Sequence, residues 1–191
     1  VQIRVEFVNC LIEIENGFQY SSTSSFTFVN CALYWRSHEV PSTFINSLLI
    51  IGTSFSKSTA YNSVITRKSN DSFTQTANAF NSIFIRNGYS GNILDNTTNN
   101  TNVTYYNLNE VFETWHSFTN SSNFSFDERY ILKEEIATSF LGSDGTEVGI
   151  HGGMFPFDTR PSYMVVKKCN VANKSTIDGK LSVDIEVMVE E

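Results

Sequence analysis

Phe7-Val8-Asn9-Cys10 returns as Phe28-Val29-Asn30-Cys31, with looser echoes in Ile50-Ile51-Gly52-Thr53 and Ala79-Phe80-Asn81-Ser82. The Asn-type position recurs after 21, 22 and 29 residues. A period in this range, with one turn-forming residue inside an apolar run, marks stacked coils rather than a layered globule. Around the first Asn, Val5 and Phe7 alternate toward one side. Cys10, Ile12 and Ile14 alternate beyond it, so the register slips by one residue at Asn9. A residue in the left-handed region bends a strand and re-aims the next one, and Asn and Gly tolerate that conformation.

The second repeat copies the pattern with Phe26, Phe28, Asn30, Cys31, Leu33 and Trp35. The third is read as Leu48, Ile50, Gly52, Thr53 and Phe55, and the fourth as Asn81, Ser82 and Phe84. Stacked in parallel, these coils would align Ile12, Leu33, Phe55 and Phe84 as one apolar ladder. Asn9, Asn30 and Asn81 would form an amide ladder, interrupted at Gly52, whose side chains bond along the axis.

The composition suits an ordered protein with a sizeable core, since 40% of the 191 residues are hydrophobic and 14% aromatic. Only 17% are charged, and Asn, Ser and Thr supply the polar surface, as turn-rich coils require. The net charge is −7, and Arg67-Lys68 and Lys167-Lys168 are isolated pairs. Phosphate binding needs clustered cations, so no nucleic-acid partner is expected. Of the three cysteines, Cys10 and Cys31 share one repeat position and should sit one above the other. A rung spacing of about 4.8 Å permits a disulfide there. The reading favours two stacked free thiols packing as small hydrophobes.

No signal peptide, lipidation motif or membrane-spanning segment is legible, Leu48 to Ile51 being too short to cross a bilayer. The chain opens in strand alternation, so coils or a targeting segment are expected upstream of Val1. After Asn92 the pattern weakens, and Asn96 to Asn102 reads as a low-complexity polar loop. The Asn-x-Ser/Thr triplets at Asn96, Asn102, Asn120 and Asn123 read as chance in so Asn-rich a chain. Leu108 to Trp115 reads as a short helix with Asn107 as N-cap and Glu110 three residues on. Met164 to Cys169 and Leu181 to Val189 read as strands, with Asp178-Gly179 as a turn before the second. The expected division is coils and closing segment over 1–153 and a strand cap over 154–191.

The run Ser125-Phe126-Asp127-Glu128-Arg129-Tyr130-Ile131-Leu132-Lys133-Glu134 is followed by the glycine-rich stretch from Gly142 to Gly153, by Phe155-Pro156-Phe157 and by Pro161. This resembles the closing segment of right-handed parallel β-helix repeat proteins, secreted or surface-attached in glycan-degrading Gram-negative bacteria. The chain departs from that pattern where Glu135-Ile136-Ala137-Thr138 replaces a Gly-Ser-Pro-Ala stretch. With the coil pattern, the resemblance implies an all-β fold: a right-handed parallel β-helix (solenoid) with a C-terminal cap of one or two extra strands. It also implies an extracytoplasmic setting, on the cell surface (as in a lipoprotein of the Gram-negative outer membrane) or secreted. The implied partner is a polysaccharide or a cell-envelope protein.

The best local cluster for ligand binding is Tyr34-Trp35-Arg36-Ser37-His38-Glu39. Tyr34 could stack on a sugar while Arg36, His38 and Glu39 bind or protonate it. Against this, Trp35 fits a core ladder and the charged trio fits a solvated turn. Trp115 and His116, close in sequence to Tyr105-Tyr106, could form a second platform or could cover the flank of the coils. Arg67-Lys68 with Asp71 fits a surface turn better than a lyase base. In the closing segment Asp144 and Glu147 are too few carboxylates for a calcium loop, so no metal and no cofactor is expected. No Ser/His/Asp set and no Cys/His metal spacing is present, and no catalytic residue is assigned. The expected function is a non-catalytic, carbohydrate-associated extracytoplasmic module. The alternative is the C-terminal fragment of a polysaccharide lyase or glycoside hydrolase whose active coils lie upstream.

Overall fold

Six asparagines with positive φ set the architecture: Asn9, Asn30, Asn46, Asn62, Asn81 and Asn102, all between 47° and 52°. The computed structural model describes residues 4–14, 24–38, 40–55, 57–67, 74–75, 78–86, 100–115, 124–157, 164–171 and 183–189. Each of the first four asparagines joins two strands. These are β1 (Arg4–Val8) and β2 (Leu11–Ile14), β3 (Ser25–Val29) and β4 (Ala32–His38), β5 (Ser42–Ile45) and β6 (Leu48–Phe55), and β7 (Ser58–Tyr61) and β8 (Val64–Arg67). After the short β9 (Thr74–Gln75), β10 (Asn78–Arg86) and β11 (Asn100–Asn107) run unbroken through Asn81 and Asn102.

Every pairing among these strands is parallel, and together they form a β-solenoid. One face of the coil is β1-β3-β5-β7 continued by the first halves of β10 and β11. The other is β2-β4-β6-β8 continued by their second halves.

The corners recur after 21, 16, 16, 19 and 21 residues. Gly52 is therefore no corner; it lies inside β6, and Asn46 and Asn62 hold the third and fourth positions. Three coils, of 16, 16 and 19 residues, occupy the stretch from Asn30 to Asn81 in which the looser sequence echo suggested two. The apolar ladder accordingly runs Ile12, Leu33, Leu49, Ile65, Phe84 and Tyr105, without Phe55. The end of the low-complexity stretch, from Asn100 onward, is strand β11 rather than loop.

Inside the coil, Phe7, Phe28 and Phe44 stack in register with centroids 5.0 Å apart and rings within 7° of parallel. Trp35, Leu33, Leu49 and Ile65 close the same lumen. A second core lies against the outside of the second face. It joins Ala32, Tyr34, Leu48, Ile50, Val64, Ile83 and Ile85 to Val111, Phe112, Tyr130, Leu132, Ile136, Val148 and Ile150. This covering layer holds α1 (Leu108–Val111) and α2 (Glu134–Ser139). Asn107 caps α1 as the sequence suggests, its N–H donating to Glu110 Oε2 at 2.7 Å, though the helix ends early because Phe112 enters a bridge with Leu132. Burial on both faces explains why Leu48-Leu49-Ile50-Ile51 is apolar without alternation. The first face alternates instead, Ser25–Val29 burying every second residue.

The chain divides into two compact units, Val1–Phe157 and Asp158–Glu191. The second holds β12 (Met164–Val171) and β13 (Val183–Val189), an antiparallel pair running from Met164↔Val189 to Val171↔Val183 with a register shift between Val166 and Lys168. Among the described residues, no helix is long and apolar enough to cross a membrane.

Candidate functional site

Of the residues singled out from the sequence, the structure describes the side chains of Tyr34 and Trp115. Tyr34 is 2% exposed because the covering layer lies over its face of the coil. Trp115 belongs to that layer, stacked on Phe112 at 4.9 Å and edge-on to Tyr130 at 6.1 Å. Arg36 and His38 stand on β4, their side chains outside what the structure describes. Glu39 and His116 lie outside the described residues.

The glycine-rich segment has a definite place: it runs along the asparagine corner as a clasp. Asn30 Nδ2 donates to Ile150 O at 2.9 Å and to Gly152 O at 2.6 Å. Asn46 Nδ2 reaches Asp144 Oδ2 at 3.5 Å. Asn62 Oδ1 accepts from Ser143 N–H at 2.9 Å, and Asn62 O accepts from Gly149 N–H at 2.8 Å. The three middle amides therefore bond to the clasp and not along the axis, and they are buried. The axial amide bond appears further on, from Asn102 Nδ2 to Asn81 Oδ1 at 2.8 Å. Gly152 is required here, since a Cβ would collide with the Glu147 carbonyl oxygen. Gly153, at φ 75°, lies against the Asn46 side chain. His151 ties the clasp to its neighbours, with Nδ1 2.9 Å from Phe157 O and Nε2 2.7 Å from Arg129 O.

Burial raises the Glu147 carboxyl above its ordinary range, with His151 partly opposing. Desolvation also acts to raise Asp144. Hydrogen bonds from Thr146 N–H at 3.0 Å, Thr146 Oγ1 at 2.8 Å and Asn46 outweigh it and hold the group below the usual aspartate value. The buried carboxylate Glu128 accepts from Thr114 Oγ1 at 2.8 Å and Arg129 N–H at 3.1 Å, which makes it a tie between segments. Among the described residues, no group of three or more His, Cys, Asp or Glu could hold a metal ion.

The outer side of the first face is the surface that repetition organises. One column runs Val8, Val29, Ile45, Tyr61, Phe80 and Thr101, all in register. Val8 and Tyr61 are 43% and 40% exposed, and the Tyr61 and Phe80 rings stack at 5.2 Å. Beside it runs a polar column of Glu6, Thr27, Thr43, Thr59 and Asn78. Alternation produces this pattern directly: Phe28, Phe44 and Ala60 point into the lumen, so the residues on either side of each point out. The sequence signal is the recurring tetrad Thr27-Phe28-Val29-Asn30, Thr43-Phe44-Ile45-Asn46 and Thr59-Ala60-Tyr61-Asn62, which the four-residue phrase ending in Cys obscures. The arrangement offers hydroxyls and apolar surface repeating together at the rung spacing of about 4.8 Å. No protein-family model, curated protein or solved structure matches the chain.

Proposed function

We propose that this chain is a non-catalytic, carbohydrate-associated β-solenoid module that works outside the cytoplasm and holds a polysaccharide against the outer side of its first face. The observation that carries the reading is the paired columns, threonines beside an apolar stripe that includes the stacked Tyr61 and Phe80. A glycan presents hydroxyls and apolar C–H surface in alternation along its length. Polar side chains that fix orientation beside an aromatic surface are how proteins meet such ligands. A partly exposed apolar stripe crossing five strands is also a feature that a surface without a partner does not need.

Native gel electrophoresis through soluble neutral and acidic polysaccharides tests this. At least one glycan should retard the protein, and Tyr61→Ala should weaken the retention about tenfold, roughly 1.4 kcal/mol. Circular dichroism should stay unchanged, because Tyr61 is well exposed. Absence of retention by every glycan, or equal retention of the variant, would refute the proposal. Release of reducing ends or unsaturated sugars in the same mixtures would instead favour an enzyme.

A further inference from the structure

The residues immediately after the corner asparagines make a ladder of their own: Cys10, Cys31, Ser47, Ser63 and Ser82. In the serine rungs the hydroxyl donates to the carbonyl two residues back, Ser47 to Ile45 O at 2.9 Å, Ser63 to Tyr61 O at 2.7 Å and Ser82 to Phe80 O at 2.8 Å. Each hydroxyl also accepts the N–H of the rung before: Cys31 N–H to Ser47, Ser47 N–H to Ser63 and Ser63 N–H to Ser82, at 3.1–3.2 Å. The two thiols imitate the donor half, Cys10 Sγ to Val8 O at 3.2 Å and Cys31 Sγ to Val29 O at 3.3 Å. A thiol is a poorer donor and acceptor than a hydroxyl, so hydrogen bonding gives no reason for sulfur in the first two rungs.

Position does give a reason. Val8 pairs with Val29 and Leu11 with Ala32, so Cys10 and Cys31 are direct neighbours on adjacent parallel rungs. Their Cα separation, about 4.8 Å, falls in the range that disulfides span. A bridge needs the Cβ atoms slightly closer than a relaxed parallel pair holds them. Cys10, only half-buried, is the side of the pair with room to supply that movement. Both cysteines are free thiols here, Cys31 buried and Cys10 half-buried.

We propose that Cys10 and Cys31 are a redox-closable pair whose disulfide staples the first coil to the second. With a small-molecule disulfide as oxidant, the Cys10 thiolate attacks one oxidant sulfur, that S–S bond breaks and one small thiol leaves. The Cys31 thiol then gives up its proton and attacks Cys10 Sγ, releasing the second small thiol. In sum, two protein thiols become one disulfide while the oxidant is reduced to two thiols. Cys10 acts first because it is the more accessible. Burial pushes the Cys31 thiol up to about 12, which slows the closing step.

The test uses the full chain in native buffer with oxidised glutathione, followed by alkylation and peptide mapping. The expected result is a Cys10–Cys31 linked peptide pair. In addition, amide hydrogen exchange at Asn9 and Leu11 should slow at least tenfold and recover in dithiothreitol. Cys31→Ser should stop at a glutathione adduct on Cys10, and it should fold, since three later rungs carry serine at that position. Two alkylatable thiols at Cys10 and Cys31 after oxidation would overturn the proposal. So would a persistent wild-type adduct on Cys10, or a link from either residue to Cys169.

Discussion

At the scale of single residues, each corner asparagine does two jobs that substitution can separate. Its backbone sits in the left-handed region, which costs an ordinary L-residue about 1–2 kcal/mol but Asn less. Its side chain, at Asn30, supplies both hydrogen bonds that hold Ile150 and Gly152. Asn30→Gly keeps the first role and loses the second. At a net 0.5–1.5 kcal/mol for each bond, roughly, it should lower stability by about 1–3 kcal/mol. Asn30→Ala loses both roles and should fall a further 1–2 kcal/mol or so. Urea denaturation of the two variants decides the matter, and equal losses would mean that the left-handed backbone is not what Asn provides. Clasp glycines behave differently. At Gly152 the obstacle to a side chain is a backbone carbonyl that cannot rotate away, so Gly152→Ala should cost about 1–3 kcal/mol by overpacking.

At the scale of elements, the clasp carries two carboxyls of opposite response to pH. Asp144 titrates below its ordinary value of about 3.9, so its contribution is complete above that pH and disappears as pH falls through the lowered value. Glu147 titrates above its ordinary value of about 4.3, so its contribution is present below that pH and disappears as pH rises through the raised value. The clasp should therefore be tightest near pH 4, roughly, and loosen on either side. Melting temperature measured against pH should show Glu147→Gln flattening the fall on the neutral side and Asp144→Asn flattening it on the acid side. Superimposable profiles for wild type and both variants would remove the two groups from the account.

The clasp also marks where reading the sequence stops. Parallel coils, the Asn9 and Asn30 corners and the Ile12–Leu33 pairing are all legible, because a left-handed residue between alternating runs has few other uses. The 16-residue coils are harder to see, since Gly52 after the apolar run Leu48–Ile51 imitates a corner and hides Asn46 and Asn62. That Tyr34 is covered is not legible at all, because a strand sequence records burial but not which distant segment provides it. Residues 108–157 lie far along the chain, and only the unbroken apolar run Leu48–Ile51 hints that both sides of its sheet are occupied. The Thr and Tyr61 columns are legible in the tetrads once Asn46 and Asn62, and not Gly52, are read as the corners.

At the scale of the whole solenoid unit, repetition makes a prediction that no single rung can. If a glycan lies along the paired columns, its contacts add rung by rung from Val8 across to Phe80. Five strands at about 4.8 Å apart give a contact length of about 19 Å. Affinity should rise steeply with oligosaccharide length until the ligand spans that distance and then level off, since further sugars lie beyond the apolar stripe of the described strands, which gives way to Thr101 after Phe80. A pocket that grips one or two sugars would level off at once, and a purely electrostatic surface would lose its affinity in salt. Isothermal titration with a size-graded series of whichever glycan is retained separates these cases. Placing the substitution then locates the ligand. Tyr61→Ala, near the middle of the stripe, should lower the plateau for long chains. Val8→Ser, at its end, should shorten the length at which the plateau is reached and leave short chains unaffected. If both variants merely scale every affinity by one factor, the sugar is held at a point and not along the columns.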